Sequence, residues 1–411
     1  MRNVFKYILL FNLVFCQAFL VRASDNINGT SNTIIVFKND ITDSSKNKTI
    51  YKFIEYFNVF YNKNEKYYFY FDGWTSGLLS KDEENKYIPD NEISSVYFQY
   101  NLTTYPVYFK IGRLYLNEGI AREEQIDGIY GKFNFKNDYK LSLYQGVPQE
   151  TKDEKTQIDD LVYGGKISKN WGENASIDVS YLQEYDSSLI FRKEMGFALY
   201  YVFYRNAYLL GQIDYSMDKE RIFNHDYTIN YTPNEYLVFS EEYMKGDFKY
   251  ILPAGASSLF SNFSNESIEK WKSQLDINST GDYSLSIDFQ AMKYREERAA
   301  RYYGGEIRYR MLTENTGGIS FHRMGTAENS ISYNEIREFF RIDNEKRLYS
   351  FDAMQLFYSK SIYSRKQAYQ FSFTSGYHIS ENTLVSGTIE YNLNSFYKYD
   401  LAGNVKLKYM F

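Results

Sequence analysis

From residue 49 to the C-terminus, apolar and polar residues alternate one by one in aromatic-rich segments of about 10 to 14 residues, a length that suits a tilted strand crossing a bilayer. In one such segment, Tyr283, Leu285 and Ile287 alternate with serine and aspartate residues. A period of two places successive side chains on opposite faces of a β-strand. The same pattern occurs at 177–181 and 385–393. The chain therefore predicts many amphipathic strands.

Alternation alone fits a soluble sandwich, with its apolar face inside, or a membrane barrel, with its apolar face outside. Connection lengths favour the barrel. Counting back from the C-terminus, alternate connections are predicted to be short turns at 381–382, 344–346, 315–317, 280–282, 232–234, 205–206 and 136–138. The other set contains longer polar connections at 77–91, 117–125, 146–159, 187–193 and 248–266. Sorting of this kind is typical of outer-membrane barrels.

Composition agrees with this interpretation. The chain has 44 Tyr and 32 Phe but only 5 Pro, and aromatic residues favour strands and membrane interfaces. After the N-terminal apolar run no second long apolar segment follows, so spanning helices are not expected. We predict an all-β fold, a single transmembrane antiparallel up-and-down β-barrel of about 18–22 strands with short periplasmic turns and longer extracellular loops.

The N-terminus has the pattern of a secretory signal peptide. Arg2 and Lys6 precede the apolar run 7–20, and Ala23 is a small residue at a cleavage position. A membrane anchor is the alternative, although the run is short for a span. Cys16 is the only cysteine and leaves with the signal, which excludes disulfides, thiolate chemistry and covalently attached haem in the mature chain.

We predict three parts: a signal peptide at 1–23, a flexible N-terminal segment with a possible first strand at 24–48, and an outer-membrane β-barrel at 49–411. A barrel of this size is wide enough for an aqueous lumen. The segment 24–48 is too short to form a folded plug. Inward-folded loops are the remaining way to narrow the pore.

The last eight residues, NVKLKYMF, place Leu407, Tyr409 and Phe411 on one face of a final strand. This ending resembles the C-terminal insertion signal of bacterial outer-membrane β-barrel proteins. The resemblance implies the outer membrane of a Gram-negative bacterium as the location. It also implies the barrel-assembly machinery, outer-membrane lipid and lipopolysaccharide as partners.

A second resemblance lies between residues 111 and 135. Its glycine and charged residues are Gly112-Arg113, Gly119, Arg122 and Asp127-Gly128. This pattern is similar to a stretch in alginate-export-type porins, where basic side chains line the passage of a polyanion. Glu123, Glu124 and Asp127 accompany the arginines here, so both signs of charge are expected along the passage.

Arg113 departs from the simple alternation. Val107, Phe109 and Ile111 define the lipid face, and strict alternation would add Arg113 to it, which costs about 2 to 4 kcal/mol near the bilayer centre. A bulge at Gly112 or a position near the headgroups would remove that cost. Arg113 and the following loop are therefore expected to approach the lumen, with a salt bridge at the barrel rim as the alternative.

Charged residues in the polar phase of their strands, together with this loop, are the candidates for the pore lining or constriction. They are Arg113, Arg122, Glu123, Glu124, Asp127, Lys132, Lys166, Asp178, Asp214, Asp288, Glu306, Arg308, Arg310 and Glu390. The predicted function is a porin-like channel for passive diffusion of small hydrophilic solutes. The net charge of −5 gives no indication of nucleic-acid binding.

Two alternatives remain open. The barrel is also compatible with a structural sleeve that holds a periplasmic partner, such as a multihaem cytochrome, across the membrane. The third possibility is a barrel enzyme that uses a pair such as His322 with a serine. His225, His322 and His378 lie in different predicted hairpins without metal-ligand spacing, so we predict no catalytic residue, no metal and no cofactor.

Overall fold

A computed structural model describes most of the chain. The described residues are 27–40, 48–78, 90–102, 105–149, 160–186, 189–247, 267–278, 282–294, 298–310, 315–326, 332–362, 364–394 and 400–411. The predicted signal peptide, 1–23, lies outside the described residues, as do 24–26 and 41–47 of the predicted N-terminal segment. Within that segment the structure places a strand at Ile27–Asp40.

The described residues form 22 strands. They are β1 (Ile27–Asp40), β2 (Lys48–Lys63), β3 (Tyr67–Leu78), β4 (Asp90–Leu102), β5 (Val107–Glu118), β6 (Ala121–Asn134), β7 (Tyr139–Pro148), β8 (Leu161–Trp171), β9 (Ala175–Asp186), β10 (Leu189–Tyr204), β11 (Ala207–Ser216), β12 (Arg221–Asn234), β13 (Leu237–Asp247), β14 (Ser267–Asn278), β15 (Tyr283–Tyr294), β16 (Arg298–Arg310), β17 (Thr316–Thr326), β18 (Tyr333–Asp343), β19 (Arg347–Ile362), β20 (Arg365–Ser380), β21 (Thr383–Leu393) and β22 (Asp400–Met410). One short 3₁₀ turn, Lys136–Asp138, separates β6 from β7. The part of the chain that the structure describes contains no helix long and apolar enough to cross a membrane.

All the strands belong to one sheet, and β1 pairs with β22. The sheet is therefore a closed, antiparallel, up-and-down barrel. This confirms the predicted fold class, with the strand number at the upper end of the predicted range.

The last residue takes part in the closure. The Gly29 amide donates to the Phe411 carbonyl at 2.8 Å, and the Phe411 amide donates back to the Gly29 carbonyl at 3.0 Å. The Phe411 ring lies over Gly29, where a Cβ atom would come within 2.5 Å of the ring. The ring also stacks beside Tyr409, with centroids 6.0 Å apart. Glycine at position 29 thus makes room for the terminal aromatic side chain.

Gly29→Val is expected to weaken the closure by about 1 to 3 kcal/mol, the usual cost of overpacking, because valine would displace the Phe411 ring. The midpoint of urea denaturation, followed by heat-modifiable gel mobility, should fall. Gly77→Val is the matched control, since no atom of the described residues, apart from the two chain neighbours, lies within 4 Å of a Cβ at that position on β3. An equal fall in both variants would contradict this role of Gly29.

The chain divides into two compact units, which we describe separately. The first comprises Met1–Val96, Tyr309–Ile319 and Glu335–Phe411. In it, β19, β20, β21, β22, β1, β2 and β3 pair antiparallel in that order. The second comprises Tyr97–Arg308 and Ser320–Asn334, and β5 to β15 pair antiparallel in chain order. The candidate site lies within the second unit.

The two faces of the sheet differ in polarity, as the alternation predicts. Large apolar side chains stand exposed on one face, among them Ile129 at 55% and Ile167 at 50% in the second unit and Ile389 at 57% in the first. Polar side chains such as Ser142 and Ser180 lie on the other face and are buried. We call the polar face the inner face and the apolar face the outer face, as in transmembrane barrels.

Two connections predicted to be long are short. Gly119 and Ile120 alone join β5 to β6, and residues 187–188 join β9 to β10, because the strands continue through most of 117–125 and 187–193. The connections at 79–89, 149–160 and 248–266 remain long.

Two short turns are displaced from their predicted positions. The turn predicted at 232–234 follows β12 at 235–236, since a register shift between Tyr231 and Asn234 lengthens that strand. The turn predicted at 315–317 precedes β17, which begins at Thr316.

Candidate functional site: an inward-folded hairpin

The β5–β6 hairpin bends away from the barrel wall at two facing glycines. Gly112 pairs with Gly128, and Gly112 has a φ of +132°, a conformation that favours glycine. A Cβ atom at position 128 would lie 2.1 Å from the Gln145 carbonyl oxygen, so the neighbouring strand approaches too closely for a side chain. Together the glycines allow residues 113–127, which we call the tip segment, to fold onto the inner face.

Apolar residues fix the underside of the tip segment. Leu114, Leu116 and Ile126 are at most 3% exposed. They share one buried cluster with Ile120, Ala121, Tyr130, Tyr144, Val162, Leu182 and Phe223. Burying a leucine or isoleucine contributes about 1.5 to 3 kcal/mol, so this contact is a main source of the attachment.

The turn of the hairpin sits on β9 and β10. Gly119 has a φ of +64°, and the Ile120 amide donates to Ser180 Oγ at 2.9 Å. Ser180 Oγ in turn donates to the Gly196 carbonyl at 3.3 Å. A Cβ atom at Gly196 would lie 3.2 Å from Ile120 Cβ, so the missing side chain on β10 makes room for the turn.

Arg122 and Asp214, both predicted pore residues, form an ion pair under the hairpin. Arg122 Nη2 lies 2.7 Å from Asp214 Oδ2, and Asp214 is 1% exposed. Asn224 donates to the same oxygen at 2.7 Å, and Gln212 donates to Oδ1 at 3.1 Å. Because hydrogen bonds compensate its burial, the Asp214 carboxylate is a strong anchor for Arg122.

Arg192 forms a second anchor. Its guanidinium donates to Glu124 of the tip segment and to Glu184 of β9, and Nη1 lies 3.9 Å from Glu194 Oε2. Arg192 is 9% exposed, and the three glutamates are 4% to 5% exposed. One arginine therefore joins a carboxylate of the hairpin to two carboxylates of the wall.

Glu118, which lies next to the turn, forms a third anchor by contacting the wall near the base of the hairpin. Its carboxylate accepts from the Tyr130 hydroxyl at 2.6 Å and from Ser142 Oγ at 3.2 Å. Lys166 Nζ lies 2.8 Å from Oε2, and Lys132 Nζ lies 3.8 Å from Oε1. The tip segment thus folds back far enough for its own carboxylate to meet the wall below the bend.

Arg113 occupies the bend itself. It donates two 2.8 Å hydrogen bonds to Asp127 on the facing strand and a third, at 2.9 Å, to Gln149. Its side chain is 27% exposed. The rest of the tip segment lies on the inner face, while Arg113 itself forms a cross-strand salt bridge.

Of the remaining candidates with described side chains, Asp178 borders this site and the others lie elsewhere. Asp288 pairs with His322 at 2.9 Å, and Glu306 accepts from Arg308 Nη2 at 2.6 Å. Asp178 reaches Lys166 at 3.9 Å, whereas Arg310 and Glu390 lie on the inner face of β16 and β21. The Glu123 side chain lies outside the described part of the chain.

His322 has the geometry of a structural pair. Its Nε2 faces Asp288, its ring stacks on Tyr302 with centroids 4.8 Å apart, and its Nδ1 contacts no hydrogen-bonding group of the described residues. It therefore has no serine partner among the described residues. No group of three or more His, Asp or Glu residues in the described ranges is placed to hold a metal ion.

Four residues of the site are not among those predicted from the sequence: Glu118, Glu184, Arg192 and Glu194. Arg192 lay in a segment that was interpreted as a loop. Leu182 carried a usable signal, since it is apolar at the inner phase of a strand whose neighbouring inner residues, Ser180 and Glu184, are polar. An apolar position of this kind on a polar face indicates that something packs there.

Comparisons with known proteins concern the fold. No protein-family model and no curated sequence matches the chain. The siderophore receptor PirA from Pseudomonas aeruginosa is 10% identical, with 95% of this chain and 81% of that chain covered and a TM-score of 0.62. The P pilus usher PapC translocation pore is 9% identical, with 93% and 99% covered and a TM-score of 0.54.

A chain of the E. coli P pilus tip assembly intermediate PapC-PapD-PapK-PapG is 11% identical, with 95% of this chain covered and a TM-score of 0.56. Our chain spans 61% of the length of that chain. At such low identity these likenesses show a shared barrel architecture only.

Proposed function

We propose that the protein is an outer-membrane channel through which small hydrophilic solutes diffuse passively, narrowed by the β5–β6 hairpin. The observation that carries this proposal is the position of the tip segment on the inner face of β9 and β10. Three separate polar anchors hold it there, around Glu118, Arg122 and Arg192. A fixed segment with charged side chains narrows the lumen of a wide barrel and thereby selects solutes by size and charge.

The outer face supports the membrane location. Phe109, Leu143 and Ile167 are 41% to 50% exposed and would remain in contact with water in a soluble protein. In a bilayer the same side chains contact lipid, and a closed barrel leaves no unpaired strand edge. Outer-membrane lipid, lipopolysaccharide and the barrel-assembly machinery are accordingly the proposed partners.

The hairpin favours a channel over the two alternatives. A sleeve for a folded cytochrome needs its inner wall for the partner, whereas here the tip segment covers part of β7 to β12. An enzyme needs converging reactive groups, and His322 has no serine beside it among the described residues. The tip segment carries arginines and glutamates together, which favours mixed small solutes over a dedicated polyanion such as alginate.

Purified, folded protein is expected to conduct ions in planar bilayers. In Arg308→Gln/Arg310→Gln, the permeability ratio of potassium over chloride should rise at least about twofold. A unit charge about 8 Å from an ion in water contributes about 0.5 kcal/mol, which alone is a factor of about two, and this variant removes two such charges. Reversal potentials in a salt gradient measure this ratio.

Lys169→Gln is the matched control. Lys169 lies on the outer face of β8, with Nζ 4.3 Å from the Tyr139 ring centroid, so its loss should leave the permeability ratio unchanged. Absence of conductance in the folded wild-type protein would overturn the proposal.

A further inference from the structure

We infer that the inner face beneath the hairpin is a binding site for small carboxylates, and that Glu118 occupies its carboxylate position when no solute is bound. The inference deepens the proposed function and rests on it in one respect: the solute reaches the site through the lumen. The site lies on β6, β7 and β8, on the side of the tip segment nearer to the short turns.

Three groups of the wall surround the Glu118 carboxylate. Its carboxylate receives the Tyr130 hydroxyl, Ser142 Oγ and Lys166 Nζ, all within 3.2 Å. These three groups belong to the wall below the bend, whereas Glu118 belongs to the hairpin. Neutral and charged donors that converge on one carboxylate form a strong binding set. The wall therefore carries a carboxylate site that the protein fills with a side chain of its own.

Open space lies beside the Glu118 carboxylate site. A cavity of about 190 Å³ is lined by Lys132, Lys140, Ser142, Lys166, Ser168 and Asp178, among others. About six molecules occupy the same volume in liquid water, so the cavity is large enough for a small organic acid. Lys132 and Lys166 border both the cavity and the Glu118 site, so a solute in the cavity is within reach of the same ammonium groups.

Charge in the cavity favours an anion. The described residues that line it include three lysines, Lys132, Lys140 and Lys166, and one acidic residue, Asp178. Lys140 makes no ion pair with any described residue, while Lys132 is 3.8 Å from Glu118 at its nearest acidic contact. A dicarboxylate would place one carboxylate near Lys140 and the other in competition with Glu118 for Lys166.

Competition gives the inference a distinctive test, with succinate as the probe and calorimetry on detergent-folded protein as the measurement. Succinate should bind the wild type, and uncharged succinamide should not. Lys140→Gln and Lys166→Gln should each weaken binding about tenfold, the loss of one charge-assisted contact. Glu118→Gln should strengthen binding about tenfold, because it removes the competing charge from Lys166.

Lys169→Gln is the control. Lys169 lies on the outer face of β8, the strand that also carries Lys166, so this variant should bind succinate like the wild type. Heat-modifiable mobility verifies that each variant is folded. If Glu118 were only structural, its replacement would leave binding unchanged or weaken it, and either result would overturn the inference. Inorganic phosphate binding more tightly than succinate would also overturn the assignment to carboxylates.

Calorimetry separates this inference from the channel proposal, since it does not require conduction. A protein that conducts ions but gives no succinate heat overturns the binding site alone. A protein that binds succinate but never conducts overturns the channel alone.

Discussion

Arg192→Gln is expected to convert a steady channel current into repeated excursions to a higher conductance level. Arg192 contacts the buried carboxylates of Glu124, Glu184 and Glu194. Removing one partner from a buried ion pair costs about 3 to 5 kcal/mol, because the remaining charges are left without compensation. Only Glu124 belongs to the hairpin, so its carboxylate reaches water when the tip segment leaves the wall.

The magnitudes predict excursions and not a permanently open channel. Losing about 3 to 5 kcal/mol of attachment raises the released fraction by about two to four orders of magnitude. The burial of three apolar side chains opposes release of the hairpin. Each contributes about 1.5 to 3 kcal/mol as an upper estimate, and they are Leu114, Leu116 and Ile126. The apolar contact is therefore large enough to keep the hairpin inside most of the time.

Single-channel recording in planar bilayers measures this effect. Arg308→Gln is the control, because Arg308 belongs to an exposed pair with Glu306 on β16. In the double variant Arg192→Gln/Glu124→Gln one of the uncompensated charges is gone, and the current should become quieter than in the single variant. A current as steady in Arg192→Gln as in the wild type would mean that this cluster does not hold the hairpin.

The fold could be predicted because its signal is local. Alternation at Tyr283 and Ile287 needs only neighbouring residues to identify β15, and the same holds for Val179 on β9. Repetition of that signal, together with its connections, was enough for the barrel and its approximate strand number. Asp214 and Lys166, which have the polar phase of their strands in the sequence, lie on the polar face of the sheet.

The site could not be predicted because its contacts are distant in sequence. Ile120 meets Ser180 60 residues later, and Arg122 meets Asp214 92 residues later. Periodicity assigns a residue to a face but says nothing about what crosses that face. In the sequence, the bend at Gly112 cannot be distinguished from a local β-bulge, because a glycine within a strand is typical of both.

One signal was nevertheless present in the hairpin itself. Leu114 and Leu116 follow Tyr108 and Lys110 at the inner phase of β5, where a membrane barrel would have polar residues. The interpretation of 117–125 as a long polar connection gave these leucines no packing partner. Apolar residues at the polar phase, followed by a short turn, are the pattern that indicates an inward-folded hairpin.

A disulfide between Ile120→Cys and Gly196→Cys is expected to lock the hairpin to the wall and suppress the excursions of Arg192→Gln. Ile120 Cβ lies 3.2 Å from the position of a Cβ at Gly196, close to the 3.5 to 4.5 Å typical of disulfides. The sequence has one cysteine, Cys16 in the predicted signal peptide, so no other thiol is expected to compete once that peptide is removed. The nearest obstacle is Ser180 Oγ, 2.6 Å from the new Cβ, and a hydroxyl of this kind can rotate away.

Oxidised Arg192→Gln/Ile120→Cys/Gly196→Cys should conduct steadily, and a reductant added to the same bilayer should restore the excursions. The Arg192→Gln variants with a single cysteine should fluctuate in both states, which separates the cross-link from any effect of the thiols. Maleimide labelling under denaturing conditions reports whether the bond has formed. If it forms and the excursions persist, they do not arise from release of the hairpin. If it never forms in the folded protein, the turn does not rest on β10, and the constriction must be sought elsewhere in the barrel.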